Sequence, residues 1–326
     1  MREAPFESTA MRERLWSALL AMQRLAWEQG VTSHAAIDGG LGDLARAIAR
    51  DAIAHQGADG RLGSTGDAGL VNGGALGECV ALLAAEGDED AATALDRQRW
   101  WFLRWSPRDD EGVVWHLPAS EEVWADSIYM VVPLLTLTGD VAPADMQYRM
   151  HREHLWDKAA GLYRHRVNTV TGEYARGQFW ASGNGWAAAG LVRALRVGGD
   201  RVPAEMRGRW QAQTRELLDA ISTWETADGR FHDVLDDPST FTDGTAGLMY
   251  AYAALTGVAD GWLPRSYADS ARRWMSGSLD LAGHKGVDEA GVVRGVSGAP
   301  RFDAEGRSAE AQAFALMALS AGERVS

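Results

Sequence analysis

The chain has 326 residues, of which 46% are hydrophobic and 24% charged, and this balance predicts a globular protein with an ample core. Its formal net charge of −13 argues against nucleic acid or an anionic membrane as a partner. The single cysteine, Cys79, excludes an internal disulfide and, within an Ala/Leu-rich run, predicts a buried inert thiol. No signal-peptide pattern and no membrane-spanning run occurs, so we expect a cytoplasmic protein.

Apolar residues recur at helical spacing along almost the whole chain, while the alternation typical of strands is nearly absent. The spacing predicts a helix over 11–27 and a second helical stretch over 30–56 that is interrupted near Gly39-Gly40. No linker rich in proline or serine occurs, so we expect one domain over residues 1–326. Further helices are predicted over 69–85, 90–105, 122–138, 143–157, 183–197, 203–224, 242–257, 265–278 and 307–322.

A short phrase of glycine followed by apolar residues returns between the helices, with its glycines at positions 60, 112, 161, 229 and 291. Each interval holds two helices and two loops, which predicts a solenoid or a closed toroid. Six such hairpins would form an all-α (α/α)6 barrel with short β-bridges in its loops, and an open superhelix of the HEAT type is the alternative. The long loops, rich in Trp, His, Arg and Asp, favour the closed form.

The stretch from Glu122 to Asp140 contains the strongest candidate for a catalytic acid. Asp126 lies between Trp124 and Tyr129 at the start of a strongly apolar helix. Burial beside aromatic rings raises the pKa of a carboxyl group, as a general acid at neutral pH requires. An aspartate before an apolar run is also a favoured helix N-cap, so a purely structural role stays open.

Three other loops carry residues suited to binding a sugar. The first contains His165, beside two arginines. In the second, Trp180 and Trp186 flank Gly183-Asn184-Gly185, which suits a sugar platform with a polar floor, although core packing explains at least one of the two rings. The third, 236–245, places small hydroxylated residues at a helix start, where they could donate to an anion or simply cap the helix.

No motif for a dinucleotide, a nucleoside triphosphate or structural zinc occurs, so neither a cofactor nor a metal is expected. His151 and His154 lie three residues apart, with Asp157 nearby. This spacing is compatible with a metal site but is better explained by a solvated helix surface.

Three segments resemble the unsaturated uronyl hydrolases of glycoside hydrolase families 88 and 105, which are six-hairpin glycosidases. Residues 126–133 resemble the family's D-x-x-Y-M-x-x-P segment, residues 161–165 its G-L-x-x-H loop, and residues 179–186 its W-x-R-G-N-x-W segment. Residues 245–252 give a looser match to a family helix. In order and spacing, the resemblance extends over residues 70–257.

The resemblance implies an (α/α)6 barrel that removes a 4,5-unsaturated uronic acid from the non-reducing end of an oligosaccharide. In the family's reaction an acid protonates the vinyl ether double bond, water adds to the adjacent carbon, and the hemiketal opens and expels the sugar. Asp126 would be the acid/base, and His165 would bind substrate or orient water. The resemblance and the clusters together give these candidate substrate-binding residues: Trp124, Tyr129, Trp180, Ser182, Asn184, Trp186, Asp67, Asn72 and Thr245.

The chain departs from the family pattern at Ser182, which stands where the family has the arginine that binds the uronate carboxylate. Arg164, Arg166 and Arg176 on the neighbouring loop are the candidates to supply the missing charge. A second family acid has its nearest counterpart in Asp67, with Asn72 next.

Two other functions stay open from the sequence. A conventional exo-β-glucuronidase would need a second catalytic carboxylate, such as Asp67 or Asp243. A sugar-binding toroid without catalysis would follow if the acid-base geometry were lost. In each case the partner is an oligosaccharide, and we expect a monomer or a homodimer.

Overall fold

Most of the chain is helical in the computed structural model, which describes residues 9–279, 286–299 and 301–325. Two 3-10 turns, at Asn72–Leu76 and Gly199–Arg201, and a π turn at Trp101–Trp105 join or extend helices. Six short strands lie in the loops: β1 (Glu122–Trp124), β2 (Trp156–Asp157), β3 (Leu162–Tyr163), β4 (Arg166–Asn168), β5 (Ser297–Gly298) and β6 (Arg301–Glu305). The α-helices are α1 (Thr9–Met22), α2 (Ala26–Asp38), α3 (Gly42–Ala54), α4 (Gly77–Ala85), α5 (Glu89–Trp100), α6 (Ser127–Leu137), α7 (Val141–Leu155), α8 (Ala181–Gly198), α9 (Ala204–Ser222), α10 (Gly244–Ala259), α11 (Ser266–Leu279) and α12 (Ala309–Glu323).

The even-numbered helices form a closed inner ring. In chain order each packs against the next, from α2 through α12, and α12 packs back against α2. Each odd-numbered helix lies outside, with α3, α5, α7, α9 and α11 packed against the inner helix that precedes it and α1 packed against α12. The predicted (α/α)6 barrel is therefore confirmed, and the contact between α12 and α2 excludes an open HEAT-type superhelix.

Burial follows the two layers. Inner helices are buried on nearly every side, and α10 is buried without interruption from Gly244 to Gly257. Outer helices such as α3 bury one face only, which is the amphipathic pattern of a surface helix. Close approach in the inner ring depends on small residues. A Cβ atom at Gly190 in α8 would lie 2.8 Å from the Cα atom of Tyr129 in α6.

The repeated glycine phrase corresponds to a repeated loop geometry. Gly291, with φ of 84°, donates its N–H to the carbonyl of Asp288, and a Cβ atom there would lie 2.3 Å from the carbonyl oxygen of Arg14. Short bridges follow several of these loops, such as the one between Val287 and Val293. Three other loops share the positive φ and the hydrogen bond to the residue three positions earlier: Gly60 to Gly57, Gly112 to Asp109 and Gly229 to Thr226.

Two predicted helix bounds were wrong. The helix predicted over 11–27 is broken between α1 and α2, because the Glu28 carboxylate accepts hydrogen bonds from the N–H groups of Arg24 and Leu25 and so starts a new helix. The helix predicted over 122–138 starts only at Ser127. Residues 122–124 instead form β1, which pairs antiparallel with β4.

Two further observations concern the chain as a whole. Cys79 is fully buried, and burial raises the pKa of its thiol to about 12, so the predicted inert thiol is confirmed. Within the ranges described above, no helix has the length and apolar character needed to span a membrane.

Candidate active site

The starts of the inner helices meet at one end of the barrel, around a cavity of about 550 Å³, a volume typical of small-ligand sites. The pairing of β1 with β4 helps to build this cavity, because the N–H of Ala125 donates to the carbonyl of His165 at 3.0 Å and places Asp126 beside the histidine loop. The cavity is lined by Trp27, Asn72, His116, Trp124, Asp126, Met130, His165, Arg166, Arg176, Gln178, Trp180, Trp186, Phe302, Asp303 and Glu310.

Asp126 lies on the cavity wall and is only 8% exposed. It occupies the N-cap position of α6, but its side chain accepts no capping hydrogen bond. Its Oδ1 atom is buried and has no hydrogen-bond partner among the described residues. A simple capping role therefore does not account for this carboxylate. A buried carboxylate oxygen without a partner is costly for folding, which is typical of a group that a ligand completes.

His165 faces Asp126 across a short gap. Its Nε2 atom lies 3.9 Å from Asp126 Oδ2, which is too long for a direct hydrogen bond, and neither ring nitrogen has a hydrogen-bond partner among the described residues. Burial lowers the pKa of His165, and the charge of Asp126 opposes that change only in part. A neutral imidazole beside a carboxylate can hold a water molecule or a sugar hydroxyl between the two groups.

Aromatic rings enclose this pair on two sides. The His165 ring lies 5.6 Å from the Trp124 ring and 4.5 Å from the Trp180 ring, measured between centroids. His116 stacks on Trp124 at 4.0 Å with an interplanar angle of 3°, and burial lowers the pKa of His116 to about 4. The rings therefore provide flat apolar walls of the kind that sugar faces contact.

Two of the three candidate arginines reach the cavity. Arg166 and Arg176 pair through their backbones, and their side chains lie over the rings of Trp124 and Trp180 at 4.8 Å and 5.5 Å. Arg164 instead donates to the carbonyl of Gly177 and to a carboxylate outside the cavity. The two cavity arginines therefore place positive charge on both sides of His165.

Each cavity arginine faces a carboxylate that lies beyond hydrogen-bond distance. The carboxylate oxygen is 3.8 Å from Arg166, on Glu122, and 3.6 Å from Arg176, on Asp233. Burial raises the pKa of Asp233 to about 7, and the charge of Asp243 adds to the effect. Near neutral pH, Asp233 is therefore only partly ionised, and Arg176 keeps charge available for an anion.

Four predicted sugar-binding residues lie behind the cavity wall. Each sits on a helix face that packs against a neighbouring helix or loop. Tyr129 packs behind the Trp186 ring at 4.9 Å, and its hydroxyl lies 2.6 Å from His34 Nδ1. Ser182 donates its hydroxyl to Asp243 at 2.5 Å, so it does not take the place of the family's arginine in the cavity.

The other two residues, Asn184 and Thr245, make hydrogen bonds that fix neighbouring loops. The Asn184 amide donates to the carbonyls of Tyr163 and Trp180 and accepts from the N–H of Tyr163, which fixes β3 on α8. Thr245 is fully buried, and its N–H donates to the Asp243 carboxylate that caps α10. The geometry therefore gives these four residues supporting positions rather than contact with a ligand.

Asp67 likewise has a structural position. Its carboxylate accepts from the N–H groups of Ala26 and Gly69 and from the amide of Asn72, and this ties the start of α2 to the cavity wall. Asn72 itself lines the cavity, as do Trp124, Trp180 and Trp186 from the predicted set.

Sequence reasoning missed several cavity residues, of which Glu310 is the most unusual chemically. It is 4% exposed, and burial raises the pKa of its carboxyl group to about 8. Its position in the first turn of an apolar helix was the available signal, because Asp126 stands at the start of α6 in the same way. The other cavity residues that were not singled out are Trp27, His116, Met130, Gln178, Phe302 and Asp303.

Outside the cavity, Asp109, Glu111 and His154 bring potential metal-ligand atoms within 4.8 Å of one another. The Asp109 carboxylate is already used by the N–H groups of Glu111 and Val113 in a repeated loop. Asp157, the suggested neighbour of His154, pairs with Arg164 instead. His154 Nε2 lies 3.5 Å from a carboxylate oxygen of Asp109 and from one of Glu111. His151 is fully buried, with its Nδ1 atom 2.7 Å from the carbonyl oxygen of Gln147, so the predicted solvated helix surface was wrong for this residue.

Comparison with known proteins now assigns the family. Residues 74–313 match the family model described as Glycosyl Hydrolase Family 88. The chain belongs to glycosyl hydrolase family 88. This membership makes it a glycoside hydrolase and confirms the resemblance found in the sequence.

Individual relatives agree with the assignment. The family 88 chain is 25% identical over 241 residues to the unsaturated rhamnogalacturonyl hydrolase YesR of Bacillus subtilis, covering 70% of this chain and 66% of the relative, just under two thirds of its length. A crystal structure from Klebsiella pneumoniae, described as a possible member of the GH105 family, matches with a TM-score of 0.83 at 19% identity over 98% of this chain and 94% of that chain. An unsaturated glucuronyl hydrolase from Bacillus sp. GL1 matches with a TM-score of 0.64 at 16% identity over 96% and 86%. The two structural matches show a shared fold.

Proposed function

We propose that this family 88 member removes a 4,5-unsaturated uronic acid from the non-reducing end of an oligosaccharide by hydrating its vinyl ether bond. The observation that carries this proposal is the buried Asp126 carboxylate, whose Oδ1 atom has no hydrogen-bond partner among the described residues, beside neutral His165 in an aromatic cavity. The names of YesR and of the Bacillus sp. GL1 enzyme, both unsaturated uronyl hydrolases, support the substrate class.

The proposed chemistry needs one proton donor and one water molecule. Protonated Asp126 gives its proton to carbon 4 of the double bond, and water adds to carbon 5. The carboxylate takes up the proton that the water loses, so the acid is restored. The resulting hemiketal opens and releases the remaining sugar. His165 orients the water in the gap beside Asp126, because neither ring nitrogen has a hydrogen-bond partner among the described residues and the ring is neutral.

Arg166 and Arg176 are proposed to bind the uronate carboxylate. They lie on paired backbone segments, point into the same cavity and stack on the two tryptophans that flank His165. Charge-assisted hydrogen bonds from arginine to a carboxylate are among the strongest in proteins. The pair supplies the charge that Ser182 lacks, and it holds the reacting ring near Asp126.

The exo-β-glucuronidase alternative needs a second free carboxylate, and neither of its suggested residues offers one. Asp67 is engaged by three donors. Asp243 is fully buried and accepts from Ser182 and from the N–H groups of Thr245 and Ser297. These contacts remove Asp67 and Asp243 as the second carboxylate that displacement would need.

The proposed chemistry is tested with matched oxygen-linked and sulfur-linked unsaturated uronides, and with the saturated p-nitrophenyl β-glucuronide as a control. Hydration at carbon 5 precedes cleavage of the link to the leaving sugar, so both unsaturated substrates should be consumed at similar rates. Displacement at the anomeric carbon would spare the sulfur-linked substrate. Release of p-nitrophenol together with no consumption of either unsaturated substrate would contradict the proposal.

A further inference from the structure

Glu310 and Asp126 lie at the starts of inner helices on opposite sides of the ring. Going around the ring, α12 and α6 are separated by α2 and α4 on one side and by α8 and α10 on the other. Both carboxyl groups line the same cavity. A sugar that fills the cavity therefore has one carboxyl group on each side, and only one of the two has a role in the chemistry above.

The Glu310 carboxyl group is placed for contact with a ligand. The side chain is buried, and its Oε2 atom has no hydrogen-bond partner among the described residues. Ser308, two residues earlier, caps α12 through its own hydroxyl, which accepts from the N–H of Ala311. Capping is thus done by another residue, and Glu310 is not required for it.

The charges around Glu310 oppose its ionisation. From α2 the facing group is Glu28, from the start of α10 it is Asp243, and both are acids that raise the pKa of Glu310. Asp303 on β6 shares the cavity. Burial raises the pKa of Glu310 most, hydrogen bonds from its own N–H and from the Ser308 hydroxyl oppose this change in part, and the charges of Glu28 and Asp243 add to it. The pKa is thereby raised to about 8, so the neutral carboxylic acid is the main form at neutral pH.

Helices α1 and α11 also pack against α12. α1 meets α12 through Gln312, which donates to the carbonyl of Leu15, and through an ion pair between Arg12 and Glu323 at the far end of the helix. α11 ends in the buried apolar Leu279. Neither contact brings a cation to the start of α12.

We propose that Glu310 contacts the bound sugar as a neutral carboxylic acid and donates a hydrogen bond from its carboxyl group to a sugar oxygen. A neutral acid is suited to this position, because an ionised one would be an acceptor only and would repel an anionic sugar. Filling the cavity also removes water, which makes ionisation of Glu310 still more costly. Glu310 is thus a substrate-binding residue that depends on its proton. The identity of the sugar as an unsaturated uronide rests on the function proposed above.

The test measures binding of an unsaturated uronyl disaccharide by calorimetry from pH 6.5 to pH 9, in an Asp126→Asn background so that the sugar is not consumed. With Glu310 present, Kd should rise about tenfold between pH 7 and pH 9, because the protonated fraction falls by about that factor above a pKa of about 8. Glu310→Gln keeps a donor that does not titrate, so it should lose the part of the pH dependence that Glu310 causes and keep only the part that comes from Asp233, which ionises beside Arg176.

A second variant and a control isolate the hydrogen bond. Glu310→Ala should raise Kd at pH 7 about three- to tenfold, the usual effect of losing one neutral hydrogen bond, and its Kd should show the same reduced dependence on pH as that of Glu310→Gln. Glu305→Gln removes an exposed charge on the neighbouring β6 and should leave the pH dependence intact. Thermal melting checks that each variant folds.

The outcomes separate this proposal from the proposed function. If Glu310→Gln keeps the full pH dependence of its parent, or if Glu310→Ala binds as tightly as its parent at pH 7, the role of Glu310 is wrong whatever the enzyme hydrolyses. If wild type hydrolyses no unsaturated uronide but binding depends on Glu310 as expected, the proposed reaction fails and the Glu310 site stands. If no sugar binds at any pH, both proposals fail.

Discussion

Asp126 and Asp243 show how the same residue type takes different roles at equivalent positions. Both stand at the N-cap of an inner helix, but Asp243 caps α10 with its side chain whereas Asp126 makes no capping bond. An aspartate that leaves the capping position unused keeps a free oxygen for a ligand. The sequence alone could not separate the two roles, because both residues precede an apolar helix.

The sequence predicted Asp126, His165, Trp180 and Trp186 as neighbours, and the structure places all four on one cavity wall. It did not predict that Ser182 lies behind that wall, because one residue along a helix turns the side chain to another face. Ser182 is held behind the wall by its hydrogen bond to Asp243, the N-cap of α10.

The proposed role of Arg166 and Arg176 in binding the uronate carboxylate gives a prediction for single residues. Arg166→Met or Arg176→Met should raise KM for an unsaturated uronyl disaccharide by about ten- to a hundredfold, because a hydrogen bond to a charged group contributes about 1.5–3 kcal/mol. Steady-state kinetics on the two variants and on the double variant would measure this effect.

The matched control is Arg272→Met on α11. Arg272 is exposed and pairs with Asp269 on a helix that contributes no residue to the cavity lining, so KM should stay within about twofold of wild type, as for a surface ion pair. An equal rise of KM in Arg272→Met would mean that total charge, and not the arginine pair, controls binding.

Helices α2, α4, α8 and α10 are connected at their buried faces by charged groups. Arg193 in α8 is 1% exposed and donates to Glu78 in α4 at 2.7 Å and to Asp38 in α2 at 3.1 Å. Its guanidinium also donates to the hydroxyl of Tyr252 in α10. This network joins four inner helices of the ring around one cation.

Removal of that cation provides a prediction at the element scale. Arg193→Met should lower the free energy of unfolding by about 3–5 kcal/mol, because Glu78 loses its arginine partner and Asp38 is left with Arg196 alone of its two arginines. Urea denaturation monitored by circular dichroism measures the loss.

Arg272→Met is the comparison for this experiment. Arg272 pairs with Asp269 on the exposed face of α11, and its loss should cost no more than about 1 kcal/mol. Similar losses in the two variants would show that the buried network does not hold the inner ring together.

Most inner and outer helices could be predicted from apolar spacing, and the repeated glycines indicated the loops between hairpins. β1 could not be predicted, because its pairing depends on β4, which lies far along the chain. The Arg193 network is equally long-range, since Asp38 lies 155 residues away in sequence. Local patterns carry no information on such contacts, and these contacts bring the cavity residues together.

For the molecule as a whole, buried titratable groups set the dependence of stability on pH. Burial raises the pKa values of Asp233, Asp243 and Glu310, so the folded state binds protons that the unfolded state has lost. Their contribution to stability is present at low pH and is lost as pH rises towards about 7 for Asp233 and about 8 for Glu310. The buried histidines with lowered pKa values act in the opposite direction, and their effect fades as pH rises above their ordinary value of 6.5: His34, His116, His151 and His165.

Between pH 6.5 and pH 8, therefore, the acids dominate, and the free energy of unfolding should fall by roughly 1–2 kcal/mol. Glu310→Gln should reduce this fall, because the pKa of Glu310, about 8, lies above that of Asp233, about 7. Urea denaturation at half-unit steps of pH would measure how the free energy of unfolding changes with pH in wild type and in Glu310→Gln. A stability that rises over this range would contradict the assignment of neutral buried acids.

The most direct measurement of the central claim compares wild type with Asp126→Asn on unsaturated uronyl disaccharides, following the loss of ultraviolet absorbance from the conjugated double bond. Asp126→Asn keeps the size and position of the side chain but cannot supply the proton, so kcat should fall about 10²- to 10⁴-fold while Kd changes little. Asp236→Asn, in an exposed loop outside the cavity, should match wild type. Turnover by Asp126→Asn within tenfold of wild type would show that another group donates the proton and that Asp126 is not the acid.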